Sequence, residues 1–331
     1  MILAGDVGGT KTNLGLFDVA DGALTSRIQR SFPSKRFPGL ESIVDVFMST
    51  AGRPSVDAAC FGVAGPIIDA RSITPNLPWI LESESLASAL ELERVILIND
   101  VEATAHGIGE LKLGEFATLN QGVIEQGNAA LIAAGTGLGS ASLFWDGEKH
   151  VPSASEGGHM DYAPRDELET RMMLHLLGKH GHVSIERVLS GPGLFTIYQF
   201  LRDTGYAAES PVIAKRIEQN DPSSVVSHAA LSHECGLSEK ALDMFVSIFG
   251  ATAGNIALMV KAVAGVYVGG GIAPKIIVKL KDGTFMKAFT AKGRLAPLLE
   301  AIPVRVILND KTALLGAARV ASRQVTTQPA I

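Results

Sequence analysis

Residues 5–13 place an acid, two glycines and several hydrogen-bond donors in one short segment. Gly8 and Gly9 can adopt backbone angles that are closed to other residues, so that successive N–H groups converge on one anion. Asp6 has the wrong charge to contact phosphate, but its carboxylate suits a hydrated Mg2+, which keeps several waters and few protein ligands. The segment therefore predicts a site for a metal-bound nucleotide, although a plain hairpin turn is the alternative. Further donors are the side chains of Thr10, Lys11 and Asn13.

Two more glycine-rich segments follow apolar runs. Residues 135–140 (GTGLGS) follow the run 129–134 and repeat the outline of the first motif: strand, glycine and hydroxyl turn, strand. Three glycines at 269–271 follow the run 266–268 and allow a ligand to lie flat against the backbone. We therefore expect a second phosphate turn and a third ligand-facing segment.

A polar pair, Asn99 and Asp100, ends an apolar run and precedes a helix predicted over 101–111. Ligands of α/β proteins bind outside the carboxyl ends of strands, so this position favours chemistry. The pair recurs as Asn309 and Asp310 before a second helix, and N-capping is the alternative for both copies. We favour chemistry for Asp100 and a structural role for Asp310.

The elements that must position these motifs alternate between strands and helices along the chain. Together with the paired turns, this alternation indicates two similar α/β halves facing a cleft. A long apolar helix is predicted over 239–263, and residues 279–289 are expected to form a surface excursion. The loop 74–79, which carries a tryptophan between prolines, is a further candidate for a ligand-facing surface.

Composition narrows the class of protein. The chain of 331 residues is long enough for two domains, and its net charge of −5 without a Lys/Arg cluster argues against a nucleic-acid partner. No apolar run reaches the roughly 18 to 20 uncharged residues of a membrane span, and no secretory signal is recognisable. The two cysteines, Cys60 and Cys235, form neither a disulfide framework nor a metal cluster. We expect a cytoplasmic protein without a membrane or nucleic-acid partner.

Over most of residues 1–320 the motifs resemble those of the bacterial glucokinase family, within the sugar kinase–actin–chaperone ATPase superfamily. Residues 5–10 look like the first phosphate loop of that superfamily, and residues 134–139 look like the second. Residues 269–272 are similar to its adenosine segment, and residues 98–100 to its sugar-binding and catalytic-base position.

Residues 156–159 (EGGH), followed by Glu186, distinguish the sugar kinases within this superfamily. The segment contains no cysteine, unlike the related kinases with a zinc motif, so the chain resembles the zinc-free branch. The resemblance implies that the hexose hydroxyls are held by Asn99, Asp100, Glu156, His159 and Glu186, with Gly137 also at the substrate.

The resemblance implies an α/β fold of two actin-like, ribonuclease H-like domains, with mixed sheets flanked by helices and a cleft between them. The expected smaller domain comprises residues 1–110 and 301–321, the larger one residues 111–300, and the tail residues 322–331. A homodimer is usual for the family and is expected here.

The activity implied is phosphorylation of D-glucose to glucose 6-phosphate with ATP and Mg2+. Asp100 is the expected general base, and Asp6 is expected to hold Mg2+ through water. The expected nucleotide-binding residues are Gly5, Asp6, Val7, Gly8, Gly9, Thr10, Lys11, Asn13, Gly135, Thr136, Gly137, Gly269, Gly270 and Gly271.

Other functions within reach of the same motifs are a related hexose or amino-sugar kinase and an actin-like ATPase without sugar activity. A sugar-sensing transcription regulator would need a helix-turn-helix extension, which we do not expect here. The phosphoryl donor could also be ADP or polyphosphate, and ATP is favoured on the resemblance alone.

Overall fold

A computed structural model gives the structure of the chain and describes residues 1–74 and 77–326. The chain divides into two compact units: unit 1 is Met1–Leu113 together with the chain from Asn309, and unit 2 is Gly114–Leu308. Pro75 and Asn76 of the predicted ligand-facing loop lie outside the described residues, as do residues 327–331 of the predicted tail. Trp79 of that loop is only 2% exposed and packs in the core of unit 1, so its side chain is not a ligand surface.

The N-terminal part of unit 1 contains most of its strands and helices. The strands are β1 (Ile2–Val7), β2 (Lys11–Ala20), β3 (Ala23–Pro33), β4 (Ala58–Val63), β5 (Arg71–Ile73), β6 (Ile80–Glu82) and β7 (Val95–Asn99). The helices are α1 (Leu40–Thr50), α2 (Ser83–Leu90) and α3 (Asp100–Gly107). Five strands form a mixed sheet in the order β3-β2-β1-β4-β7, in which β1, β4 and β7 run parallel. Strands β5 and β6 pair separately.

Unit 2 carries the second set of elements. Its strands are β8 (Phe116–Asn120), β9 (Ala129–Ala134), β10 (Leu138–Trp145), β11 (His150–Ser155), β12 (Gly265–Gly269) and β13 (Val304–Ile307). Its helices are α4 (Glu167–His180), α5 (Gly191–Asp203), α6 (Pro211–Gln219), α7 (Pro222–Leu231), α8 (Gly236–Val260), α9 (Ile277–Leu280), α10 (Thr284–Thr290) and α11 (Ala296–Ala301). The strands form one mixed sheet in the order β11-β10-β9-β12-β13-β8.

The chain returns to unit 1 as helix α12 (Thr312–Thr326), which covers one face of the first sheet. Alternate residues of β1 enter different cores: Leu3 packs on the side of α1, and Ile2 packs on the side of α12. Helices α3 and α12 approach closely, because a Cβ atom at Gly316 would overlap the carbonyl oxygen of Ala103. Residues 322–326, placed in the predicted tail, continue this helix.

The core of unit 2 is organised around α8. Gly250 and Gly254 allow α10 to lie against it, since a Cβ atom at Gly250 would overlap the carbonyl oxygen of Phe285. Phe285 and Phe289 are fully buried in this contact, so the surface excursion predicted over 279–289 is wrong. By length and composition α8 could cross a membrane, but 67% of its most apolar window is buried inside the protein, as in the core helix of a soluble domain.

The two sheets share one arrangement. In each sheet, three consecutive strands form an antiparallel meander, and two further strands extend the sheet parallel to the first strand of that meander. The order is β3-β2-β1-β4-β7 in unit 1 and β11-β10-β9-β12-β13 in unit 2. The mixed sheets flanked by helices confirm the predicted fold class. The sheet pairing places β13 with unit 2, whereas the predicted boundary at residue 301 assigned it to the smaller domain, because β13 pairs with β12 and β8.

Candidate active site

The turn between β1 and β2 carries the first glycine motif. The Gly8 N–H donates to the carbonyl oxygen of Lys11 (3.0 Å), so this donor is used within the turn and does not join the expected anion site. Ser34, directly after β3, is fully buried and fixes the turn: its Oγ donates to the Gly8 carbonyl (2.7 Å), and its N–H donates to the Thr10 carbonyl (3.1 Å). The N–H groups of Gly9 and Thr10 have no hydrogen-bond partner among the described residues, which leaves two successive backbone donors for an anion.

Asp6 lies beside this turn at the end of β1. It faces Asn13 across the strand pair, and Asn13 Nδ2 donates to Asp6 Oδ2 (2.9 Å). Ser31 Oγ in turn donates to Asn13 Oδ1 (2.5 Å), which fixes the amide orientation. Burial raises the pKa of the Asp6 carboxyl, while the Asn13 hydrogen bond and the charge of Lys11 act in the opposite direction. A nearby cation would favour the charged carboxylate, so the site fits a hydrated Mg2+.

Lys11 forms an ion pair that joins the two ends of the chain in unit 1. Its Nζ lies 3.0 Å from Asp310 Oδ2, and the side chains are 52% and 72% exposed. Asn309 Oδ1 accepts from the backbone N–H of Lys311 (2.8 Å). The side chain that binds the backbone before α12 is therefore that of Asn309, and the Asp310 carboxylate pairs with Lys11. The ammonium group is thus held beside the first turn.

The carboxyl ends of β1, β4 and β7 meet at one edge of the first sheet, since Asp6 pairs in register with Gly62 and Gly62 with Ile98. Asn99 therefore lies two strands from the first turn, on the order of 10 Å away. Its Oδ1 accepts from the N–H groups of Val101 (2.9 Å) and Glu102 (3.3 Å), so Asn99 is the N-cap of α3.

Asp100 is the half-buried first residue of α3. Its Oδ1 also accepts from the Val101 N–H (3.0 Å). Because Asn99 already serves as the N-cap, capping does not by itself explain the carboxylate at this position.

The second glycine motif forms the turn between β9 and β10 in unit 2. The Gly135 N–H donates to the Gly137 carbonyl (2.8 Å), and the Gly191 N–H donates to the Gly135 carbonyl (2.8 Å). The N–H groups of Thr136 and Gly137 have no hydrogen-bond partner within the described ranges. This turn therefore offers the same pair of donors as the first.

Glu186 is attached directly to the second turn. Its Oε2 accepts from the Leu138 N–H (2.8 Å), and a Cβ atom at Gly137 would lie 2.6 Å from the same oxygen. Ser190, the N-cap of α5, donates from Oγ to the Glu186 carbonyl (2.8 Å). Gly137 is thus required for the close approach of the carboxylate.

Residues 156–159 pack against the start of β10, which explains their two glycines. A Cβ atom at Gly158 would overlap the carbonyl oxygen of Leu138, and one at Gly157 would lie 2.5 Å from Ser140 Oγ. The carbonyl oxygen of Met160, which follows this segment, accepts from the N–H of Ile185 (2.9 Å). This hydrogen bond brings the segment alongside Glu186.

As a result, Thr136, His159 and Glu186 line one cavity of about 650 Å3 in unit 2. The side chain of Glu156 is exposed, and this residue is not part of the cavity wall. Three predicted ligand-binding residues are therefore brought together in one cavity. Glu156 contacts one of them through its backbone, because its carbonyl oxygen accepts from the His159 N–H (3.0 Å).

The third glycine segment lies next to the second turn, because Gly269 pairs in register with Ala133. Gly270 has a φ of 84°, and a Cβ atom there would overlap the carbonyl oxygen of Ala134. Gly271 has no atoms close to an ideal Cβ position, which leaves its outer side open.

Two residues predicted to bind nucleotide also have packing roles. A Cβ atom at Gly5 would overlap the ring of Phe61, and Val7 is 1% exposed in the core of unit 1. The sheet therefore explains why position 5 is a glycine and why the Val7 side chain is apolar. Sequence reasoning missed Ser31, Ser34 and Ser190, whose partners lie elsewhere in the chain and leave no local pattern.

Comparison with known proteins gives consistent results over nearly the whole chain. Residues 3–324 match the family model described as Glucokinase. A glucokinase of Nostoc punctiforme is 42% identical, with 98% of this chain and 99% of that protein aligned, and one of Synechocystis sp. is 39% identical over 96% of each.

Solved structures agree with these relatives. The crystal structure of a glucokinase from an Antarctic psychrotroph has a TM-score of 0.84 at 28% identity, covering 97% of this chain and 98% of that one. A ROK family glucokinase from Streptomyces griseus, in complex with glucose and AMPPNP, shares the fold with a TM-score of 0.62 at 22% identity, covering 97% and 99%.

Proposed function

Because the chain belongs to the glucokinase family, we propose that it transfers the γ-phosphoryl group of ATP to the 6-hydroxyl group of D-glucose. The observation that supports this activity most strongly is the cavity that joins Thr136, His159 and Glu186 beside a phosphate turn. A carboxylate and an imidazole can bind paired hydroxyl groups, and buried polar groups left unpaired would reject a wrong sugar.

The nucleotide is proposed to bind through the unpaired backbone donors of both glycine turns. Gly9 and Thr10 supply two N–H groups, and Thr136 and Gly137 supply two more. The open outer side of Gly271 suits the adenosine. Asp6 would hold Mg2+ through water, and the ion supplies charge neutralisation on the phosphates when bound.

Asp100 is proposed as the general base that accepts the proton of the 6-hydroxyl group as its oxygen attacks the γ-phosphorus. An alcohol is a weak nucleophile, and a positioned base contributes roughly 10²–10⁴-fold in rate. Asn99 holds the start of α3, so it fixes the backbone from which Asp100 projects. Lys11, held by Asp310, adds positive charge beside the first turn.

A coupled assay with glucose, ATP and Mg2+ tests the proposal. Turnover that requires both glucose and ATP is expected, with kcat/KM for glucose exceeding that for mannose and N-acetylated hexosamines. ATP hydrolysis that sugar does not stimulate would instead indicate an actin-like ATPase. Replacing ATP by ADP or polyphosphate in the same assay defines the donor. The cytoplasmic location, the homodimer and the absence of membrane and nucleic-acid partners remain predictions.

A further inference from the structure

The cavity that contains His159 and Glu186 is larger than one hexose requires. At about 650 Å3 it lies within the range of pockets that hold drug-sized ligands. Beyond the sugar-binding residues its wall continues to Lys179 and Arg187. The part of the cavity next to these two residues is not used by the proposed reaction.

This part of the wall carries positive charge. Lys179 and Arg187 are exposed, and neither forms an ion pair with any residue that the structure describes. His182, which also lines the cavity, is already held by Asp161 (2.8 Å). In a protein of net charge −5, two unpaired cations on one cavity wall are complementary to an anionic ligand.

The start of α5 adds to this field. Pro192 and Gly193, in the first turn of this 13-residue helix, line the same cavity. The N-terminus of a helix carries partial positive charge and favours phosphate. The N–H groups of Gly191 and Gly193 already donate to the Gly135 carbonyl (2.8 Å) and to Ser190 Oγ (3.1 Å). The helix start therefore adds only its partial charge, and we assign direct contact with an anion to Lys179 and Arg187.

A position in the last turn of α4 offers a second explanation for Lys179, because cations stabilise helix C-termini. That explanation does not extend to Arg187, which lies in a single 3-10 turn, Ile185–Arg187, next to Glu186. Arg187 is thus adjacent in sequence to the residue that we assign to the sugar.

We propose that this cavity binds a hexose phosphate, with the sugar on His159 and Glu186 and the phosphate group on Lys179 and Arg187. The inference rests on the proposed function, in which the 6-hydroxyl group accepts the phosphoryl group and must remain free. We therefore assign the phosphate group of the bound ligand to carbon 1, at the other end of the sugar. Such a ligand competes with glucose, and its phosphate group forms charge-assisted hydrogen bonds with the two basic side chains.

Titration calorimetry with glucose 1-phosphate tests the proposal, using the Lys179→Gln/Arg187→Gln double variant. We expect the double variant to lose at least about tenfold in affinity for glucose 1-phosphate while its affinity for glucose changes by less than about threefold. Lys215→Gln is the matched control, since Lys215 is an exposed lysine of unit 2 outside the cavity. Melting temperatures check that the loss of Lys179 does not unfold α4.

Equal affinities of the wild type and the double variant for glucose 1-phosphate would overturn the proposal. So would a wild type that binds glucose but not glucose 1-phosphate, or a double variant that loses affinity only for glucose 6-phosphate. Competition by inorganic phosphate that disappears in the double variant would support the anion-binding wall. Binding is measured without turnover, so a chain that binds glucose 1-phosphate but never phosphorylates glucose would refute the proposed activity alone.

Discussion

Units 1 and 2 form their glycine turns in the same strand arrangement, but the side chains around the two turns differ. One step in from the end of the hairpin, unit 1 pairs Asp6 with Asn13, whereas unit 2 pairs Ala133 with Gly139. Unit 1 therefore has a carboxylate within the hairpin itself. Unit 2 has small residues there and receives its carboxylate, Glu186, from a distant segment.

This difference shows how one sheet arrangement can serve two kinds of ligand. In each turn two backbone N–H groups have no hydrogen-bond partner among the described residues, although contacts from other segments hold the turns, such as Ser34 in unit 1 and Gly191 in unit 2. The side chains around the turns determine which further ligands each unit suits. Unit 1 has carboxylates suited to binding a cation and accepting a proton, and unit 2 has side chains suited to sugar hydroxyls. Changes in unit 1 should therefore affect turnover and metal dependence, and changes in unit 2 should affect sugar affinity.

The largest expected effect is that of Asp100→Asn in unit 1. Because the variant lacks the proton acceptor, kcat should fall about 10²–10⁴-fold, while the glucose Kd from calorimetry stays nearly constant. Asp310→Asn is the matched control, since it makes the same change in the second Asn–Asp pair and should reduce kcat less than about tenfold. Similar losses in both variants would remove the distinction between the two pairs.

The next effect concerns Glu186→Gln in unit 2. The amide oxygen can still accept from the Leu138 N–H, so the turn is preserved while the charge is lost. Hydrogen bonds to a charged group contribute more free energy than neutral ones. Loss of the charge should therefore weaken glucose binding roughly 10- to 100-fold. ATP affinity, measured in the same titration series, should not follow. A parallel loss of ATP affinity would show that the two roles of unit 2 are inseparable.

Asp6→Asn in unit 1 should instead change ATP affinity and leave glucose affinity nearly constant. The gain in ATP affinity that Mg2+ provides should shrink by about tenfold, as is usual for groups that act on a metal through water. The substitution should also stabilise the protein at neutral pH, because burial raises the pKa of Asp6 and the folded state is therefore destabilised by the charged form.

The pH dependence of this stabilisation has a defined sign. Wild-type stability falls as the pH rises from the unfolded-state pKa of about 3.9 to the raised folded-state pKa, and the full difference persists above it. Below the unfolded-state pKa both proteins carry a neutral side chain, so denaturant midpoints of the variant and the wild type should converge. A constant difference across this window would contradict the assigned cause.

The smallest effects compare one glycine from each unit. Gly316→Ala should cost about 1–3 kcal/mol of stability, because the methyl group would meet the backbone of α3 at Ala103. Gly178→Ala in α4 has open space around it and should stabilise by about 0.5–1 kcal/mol. Urea denaturation measures both, and a stabilised Gly316→Ala variant would refute the close helix contact.

Local patterns predicted the parts of the fold that depend on neighbouring residues. The strands flanking both turns and the helix after Asp100 follow from apolar runs, and the cap at Asn99 was the alternative that the polar pair left open. The two α/β halves followed in the same way, since alternating strands and helices restrict the layers that can form, whereas the actin-like fold was implied by the family resemblance.

Contacts between distant segments were beyond these patterns. The Lys11–Asp310 ion pair spans 299 positions, and the approach of His159 to Glu186 depends on a backbone hydrogen bond between residues 160 and 185. Phe285 and Phe289 are buried because glycines of α8 give α10 room, which the sequence of α10 does not reveal. In each case the determining partner lies outside the window that a local pattern can read.

The return of α12 to unit 1 has a consequence for synthesis of the chain. Leu314, Ala317 and Ala318 are fully buried against the first sheet, yet they are synthesised after the whole of unit 2. Until α12 has been synthesised, the apolar side of β1 and β4 that it covers stays exposed, although all of unit 2 has already been synthesised. Although its motif comes first, unit 1 must finish folding last, and a nascent chain stalled near residue 310 would be prone to aggregation.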